Sequence, residues 1–255
     1  MTKTSHNRRT TTAGYLCGAD TRARVISCAL RLFGQHGFEG TSTRDIAVAA
    51  GVNAPAVHYY FSSKEGLYLA CIGHMVSRFW SYADGAASQV EKLLARRAPH
   101  ADLIDAYCTV QECMADFLFG SEEPADWLLI VVREQAGLGP EAGFKLMYRE
   151  MNVRLMKLHT AVVGRLLRLP VDAEETYIRA MTLNGQIVMF LFLRRTLLTA
   201  LGWDAYRGER VDLIKRTIRE NTHGLLSAMI IAGRRRKKTP AGIEGGAARA
   251  RRRPE

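Results

Sequence analysis

The sequence predicts an all-α protein, on three observations. Apolar residues recur at helical spacing over most of the chain, strand-like alternation is weak, and capping residues stand just ahead of the periodic stretches. The first helix is expected over Thr21–His36, with Val25, Ile26, Ala29, Leu32 and Phe33 on one face and Gly37 as the left-handed residue that ends it. A second follows Ser42, which can cap while Asp45 stands three residues on, an acidic variant of the capping box; Ile46, Ala47 and Ala50 form its apolar face. Gly51 suits a tight turn, Val52 plugs the core, and Asn53 caps a third helix whose first turn holds Pro55, where a missing N–H has no intrahelical partner to lose. A fourth helix follows "FSSKEG", with Ser62 and Glu65 again at capping-box spacing.

Beyond Lys64 the periodic stretches lengthen, and helices are expected near 64–84, 88–98, 101–119, 124–136, 140–168, 173–200 and 210–232. Turn residues between them mark the breaks. In 140–168, Phe144, Tyr148, Met151, Leu155, Leu158 and Val162 make a sustained stripe.

With 255 residues, 47% of them hydrophobic, the chain can bury a sizeable core. The net charge of +11 points to an anionic partner, but most of it lies at the ends. Residues 234–255 hold nine basic and two acidic side chains, while residues 21–233 hold 24 and 22. Both ends, 1–19 and 234–255, read as disordered arms. Five cysteines with neither C-x-x-C nor zinc spacing argue against a disulfide framework and fit a reducing cytoplasm. The longest apolar run, "IVMFLFL", is too short for a bilayer, and the first 20 residues lack the apolar core of a signal peptide, so neither membrane nor export is expected.

A helix from Ser42, a glycine turn at Gly51 and a helix from Asn53 form a helix-turn-helix. A helix entering the major groove needs small or polar residues at its N-terminal end; Asn53, Ala54, Pro55 and Ala56 meet that need. Tyr59 and Tyr60 follow where phosphate and sugar would lie, and Phe61 can fold back onto Val57 and Ile46.

Residues 21–70, through "LF..HGF.GTS.RDIA..AGV" and "YYF.SKEGL", resemble the DNA-binding region of the TetR family of bacterial transcriptional regulators. The fragments "VNAPAVHYYFSSKEGLY", "REQAGLGPEAGFKLMYREM" and "LNGQIVMFLFLRR" are similar to its CecR (YbiH-like) subgroup, which resembles ligand-responsive repressors acting on drug-export and drug-sensitivity genes. The resemblance implies a DNA-binding domain over 20–66 and an effector-binding and dimerisation domain over 67–233. It places Ser42, Thr43 and Arg44 at the start of the second helix against the DNA and Asn53, Ala54 and Pro55 facing bases. His58, Tyr59 and Tyr60 then lie near phosphates, and Lys64 makes a phosphate contact at the next helix start. Many relatives carry Tyr where this chain has His58; a neutral imidazole still donates a hydrogen bond and its positive form adds attraction to phosphate, so DNA affinity is expected to weaken as pH rises.

An effector pocket is sought among Arg133, Phe144, Met147, Tyr148 and Met151, though the same Met and aromatic stripe serves ordinary core packing. Arg133 and Glu134 are read either as a buried ion pair or as a solvated one. The wholly apolar turn 187–193 asks for a covering partner; the two last long helices of TetR relatives form a dimer bundle, which puts Ile187, Phe190, Leu191 and Arg194 at the interface of a homodimer. His74, His100, Cys108, Cys113 and His159 fit no metal-ligand spacing, so neither metal nor cofactor is expected. An enzyme is disfavoured because the chain has no Gly-rich phosphate loop, no G-x-S-x-G and no paired metal ligands. The expected function is a repressor released by a small molecule from a near-palindromic operator in double-stranded DNA. The rival is a constitutive architectural DNA binder.

Overall fold

The computed structural model describes residues 12–120 and 125–238, and among these residues there is no strand. Eleven α-helices follow in order: α1 Thr12–His36, α2 Thr43–Ala50, α3 Ala54–Phe61, α4 Lys64–Ala95, α5 His100–Ala115, α6 Ala125–Gln135, α7 Glu141–Met147, α8 Val153–Leu167, α9 Glu174–Phe192, α10 Arg194–Leu201 and α11 Glu209–Lys238. One π-helical turn, Asp116–Gly120, extends α5, and another, Tyr148–Asn152, joins α7 to α8.

Several boundaries differ from the sequence reading. Helix α1 begins at Thr12, inside the arm expected to be disordered, and α11 runs to Lys238, into the expected tail. Residues 1–11 and 239–255, where the rest of both arms falls, lie outside the described residues. The pair expected at 64–84 and 88–98 is one helix, α4, because Gly85 interrupts the pattern without breaking the backbone. A stretch expected as one helix, 173–200, breaks at Leu193 into α9 and α10. The cap of α4 is Ser63, accepting from the Gly66 N–H, whereas Ser62 takes a positive φ of 64°.

The stripe read along 140–168 does not stay on one face. A π turn places an extra residue in the helix and shifts the register after it. Met147 therefore packs on one core while Leu155, Leu158 and Val162 enter another, and Phe144 and Tyr148 remain exposed. The turn is fastened to α4: the Trp80 indole donates to the Glu150 carbonyl at 3.0 Å, and Arg154 lies 4.2 Å over Trp80 while its guanidinium reaches Asp84 at 2.7 Å.

Two apolar cores result. The first joins α1 to α3 with the first turns of α4, through Val25, Phe33, Ile46, Val57, Leu67 and Ile72, and is completed by Trp127 and Ile130 of α6 and Met147 of α7. The second lies among the rest of α4 and α5, α8, α9 and α11. Burying each such side chain contributes about 1.5–3 kcal/mol. The packing thus does not follow the boundary expected at 66/67: α4 crosses it, and α6 and α7 lend side chains to the first core.

Candidate nucleic-acid interface and the helices behind it

Helices α2 and α3 are held by short-range bonds their own sequence supplies. The Ser42 hydroxyl accepts from the Asp45 N–H at 3.1 Å, and the Asp45 carboxylate accepts from the Ser42 N–H at 3.1 Å, closing the box. The Ser42 hydroxyl also donates to the Asp45 carboxylate at 2.6 Å, and this bond, with the one from the Ser42 N–H, holds the Asp45 carboxyl below the usual carboxylate range. Gly51, at φ 63° and ψ 38°, turns its N–H back to Ala47 and Val48; a Cβ here meets no neighbour, so the backbone angle alone selects glycine. The Asn53 side chain then accepts from the Ala56 N–H at 2.9 Å, and Pro55 occupies the first turn. From α1, the Arg24 guanidinium donates to the Ala50 carbonyl at 2.8 Å, pinning the end of α2.

On this frame Val57 and Phe61 are buried with Ile46, so α3 presents the remainder of its surface outward. Asn53, Ala54, Pro55, His58 and Tyr59 are exposed, Tyr59 by 83%. Tyr60 is half-buried with its ring 5.3 Å from that of Tyr59. Ser42 and Arg44 are exposed beside them and Thr43 is half-buried. Lys64, in the first turn of α4, rests its ammonium 4.3 Å over the Phe38 ring, which fixes a positive charge next to that helix end. The fold brings the ten expected DNA-facing residues onto adjoining helix starts and one outer helix face.

Helix α6 ties this head to the rest of the molecule. At its start the Asp126 backbone lies so close to Gly34 of α1 that a Cβ on Gly34 would stand 2.4 Å from the Asp126 carbonyl oxygen. At its end Arg133 donates to the Gly34 and Gln35 carbonyls, both at 3.4 Å. Glu134 turns the other way, accepting from the Tyr68 hydroxyl of α4 at 2.5 Å. Burial raises its carboxyl above the usual range. Gly139 and Gly143 pack on this pair where a Cβ would collide. Arg133 and Glu134 therefore form neither kind of ion pair foreseen.

Of the five residues proposed for an effector pocket, Arg133 is spent on the carbonyl end of α1 and Met147, only 2% exposed, fills the first core. Met151 is half-buried between the two cores. Tyr148, stacked on Phe144 with centroids 6.0 Å apart, does line a groove of about 390 Å³. Its other apolar walls are Val153 and Met156 of α8, Val171 of the following loop and Tyr177 of α9. Lys157 and Asp172 add charges and Thr160 a hydroxyl. Sequence reasoning missed the α8 and α9 walls because the loop that folds α9 back on α8 carries no apolar periodicity.

The interface residues need a similar correction. Ile187 is 0% and Leu191 8% exposed in their own chain, so neither keeps surface for a partner. Phe190 packs against Phe119 and Tyr206, and Arg194 lies 5.4 Å over Tyr206. The apolar surface that α9 leaves open is the opposite stripe, Ile178, Met181, Met189 and Phe192, joined by Leu225 and Ile231 of α11.

A helix-turn-helix head set on a larger helical bundle, with the outer face of α3 open, is the architecture of a DNA-binding transcriptional regulator. A description of bacterial regulatory proteins of the tetR family matches residues 25–71, and one of the C-terminal domain of the HTH-type transcriptional dual regulator CecR matches residues 103–229. The chain is 30% identical over 208 residues to the HTH-type transcriptional dual regulator CecR of Shigella flexneri, spanning 79% of this chain and 89% of that protein. It belongs to the TetR family, and its C-terminal domain is of the CecR kind.

Solved structures share the fold at lower identity. A transcriptional regulator from Pseudomonas aeruginosa PAO1 superposes with a TM-score of 0.60 at 18% identity, over 85% of this chain and 94% of that one. AibR, solved in complex with isovaleryl coenzyme A and operator DNA, gives 0.55 at 17% identity over 78% and 96%.

Proposed function

We propose that this regulator is a homodimeric repressor that binds a near-palindromic operator in double-stranded DNA and leaves it when a small molecule enters the C-terminal bundle. The observation that carries the reading is the outer face of α3: small capped residues at its start, exposed His58 and Tyr59 beyond them, and Lys64 held beside it. Asn53, Ala54 and Pro55 face base edges, and Thr43, Arg44, His58, Tyr59, Tyr60 and Lys64 position the head on phosphates. Two heads reach successive major grooves when the open apolar stripes of α9 and α11 pair across a two-fold axis. That pairing leaves one α3 on each side.

Coupling runs through α6, which touches α1 at both of its ends and α4 through Glu134. A ligand that favours a different placing of α6 shifts the spacing of the two α3 helices, and the DNA-competent population falls. The Shigella relative is named a dual regulator, so the sign is read from expression. The protein is expected to act in the cytoplasm, where its DNA is.

The test is a footprint on DNA upstream of its own gene, with the oligomeric state measured by sedimentation. A protected near-palindrome bound by a dimer supports the reading; absence of any footprint overturns it. Derepression of a reporter on losing the gene supports repression, and loss of reporter expression overturns that sign.

A further inference from the structure

The second core holds a side-chain pair that its packing does not explain. Tyr107 of α5 and His159 of α8 are both 0% exposed, with rings 5.3 Å apart and edge to face. The Tyr107 hydroxyl and both imidazole nitrogens of His159 have no hydrogen-bond partner in the protein. One turn further along α5 a buried polar cluster is paired instead. There the Gln111 amide donates to the Leu183 carbonyl at 3.1 Å, the Thr222 hydroxyl donates to Gln111 at 2.8 Å, and Gln186 donates to Thr222 at 3.1 Å. Each unpaired buried polar group carries an uncompensated desolvation cost that Phe and Leu at these positions would avoid. Burial also holds the His159 imidazole down to about 4, so it is neutral, and one ring nitrogen donates while the other accepts.

The groove reaches α8 one helical turn before His159. Met156 lines the groove described above and also packs against the second core. It precedes His159 by three residues on α8, which puts the two on neighbouring positions of one helix surface, about 5–6 Å apart at Cβ. Methionine, unbranched and with three rotatable bonds, is the side chain best able to turn aside from such a position. Met156 thus stands both on the groove wall and against the core that holds the two unpaired rings.

We propose that the groove and the Tyr107–His159 pair form one binding site, for an uncharged aromatic molecule bearing a hydroxyl group. The ring lies between Tyr148 and Tyr177, and the hydroxyl reaches the buried pair once Met156 swings away. A hydroxyl both donates and accepts, as the pair requires. A carboxylate or an ammonium would enter with no buried counter-charge, at a far larger desolvation cost. The proposal rests on the ligand-responsive reading and gives that ligand a chemical class.

Isothermal titration calorimetry with three probes of one shape tests it: naphthol, naphthalene and naphthoate. Naphthol is expected to bind once per chain and about tenfold more tightly than naphthalene, the gain of one or two paired buried groups, with naphthoate weakest. In Tyr107→Phe/His159→Leu the naphthol advantage disappears while naphthalene affinity holds and the melting temperature stays level or rises. Equal affinities in the unmodified protein, or an advantage that survives in the double variant, would overturn the site. If the double variant does not fold, Tyr107→Phe alone decides: an undiminished naphthol advantage overturns the proposal, and a lost one supports it. Operator binding without any probe is measured on the same preparation. Its absence would count against the regulator and leave the comparison of probes standing.

Discussion

The head that carries α2 and α3 and the bundle that carries α5 and α8 solve the problem of polar groups in opposite ways. In the head, Ser42, Asp45, Asn53 and Ser63 lie at the surface and close bonds within three residues, and no buried side-chain nitrogen or oxygen from residue 18 to 76 lacks a partner, although the Trp127 indole that α6 adds to this core does. In the bundle, polar side chains sit deep, pair over long separations, and at Tyr107 and His159 do not pair at all. Locally closed bonds make a rigid template whose outer face keeps its shape. Open ones leave an interior that gains from a visitor.

The largest effect is expected where the two regions meet. Gly34→Val would force a Cβ into the Asp126 backbone, which cannot rotate away as a side chain can. Unfolding in urea should show a loss of about 3 kcal/mol. A loss under about 1 kcal/mol would mean that α6 is free to leave α1, and the head would then be uncoupled from the bundle.

The next effect separates the regions by pH. His159 keeps its imidazole near 4 through burial alone, below the ordinary value of about 6.5. The unfolded chain therefore binds the extra proton first, so the stability contributed by the neutral ring is full above about pH 6.5 and is lost as pH falls toward 4. Calorimetric melting should show a loss on the order of 3 kcal/mol across that window, absent in His159→Leu. An unchanged slope in that variant would move the acid sensitivity to other groups.

The head was legible in the sequence to the residue because its bonds are local: the Ser42 box, the Gly51 turn, the Asn53 cap and the burial of Val57 and Phe61 all join positions within a few residues or one helix face. The exception is instructive. Ser62 and Ser63 both offer a capping hydroxyl, and only the backbone, by placing Ser62 at positive φ, makes Ser63 the cap. The bundle was legible in class but not in detail. A π turn after Met147 breaks the 3.6-residue period, so of one stripe in the sequence Phe144 and Tyr148 stay exposed while Leu155, Leu158 and Val162 enter the second core. A run apolar on every side, 187–193, cannot say which side faces its own core. The structure turns Ile187 and Leu191 inward and leaves Met189 and Phe192 open. Tyr107 and His159, 52 positions apart in the numbering, meet only through tertiary packing.

A third, smaller effect tests whether the head is as rigid as its bonds suggest. Asn53→Ala removes the acceptor for the Ala56 N–H and should cost about 1 kcal/mol of stability. If Asn53 also faces a base, operator affinity should fall by more than the cap alone explains, by a further factor of about ten. Asn53→Ser restores a cap but not a bidentate amide, so it should recover stability and leave the affinity low. Recovery of both would make Asn53 a cap and nothing more.

The smallest effect asks whether an exposed residue of α3 matters at all. Tyr59 is 83% exposed, and among the described residues its ring meets only that of its neighbour Tyr60, so Tyr59→Phe should leave the melting temperature unchanged. If its hydroxyl donates to a phosphate, operator affinity should drop about three- to tenfold, the worth of one hydrogen bond to a charged acceptor. Because no cation is lost, the dependence of affinity on salt should keep its slope, whereas Lys64→Gln should lower that slope by about one counterion. A changed slope in Tyr59→Phe would mean that the head sits differently on the DNA. An unchanged affinity would leave the phosphate contact to His58, Tyr60 and Lys64.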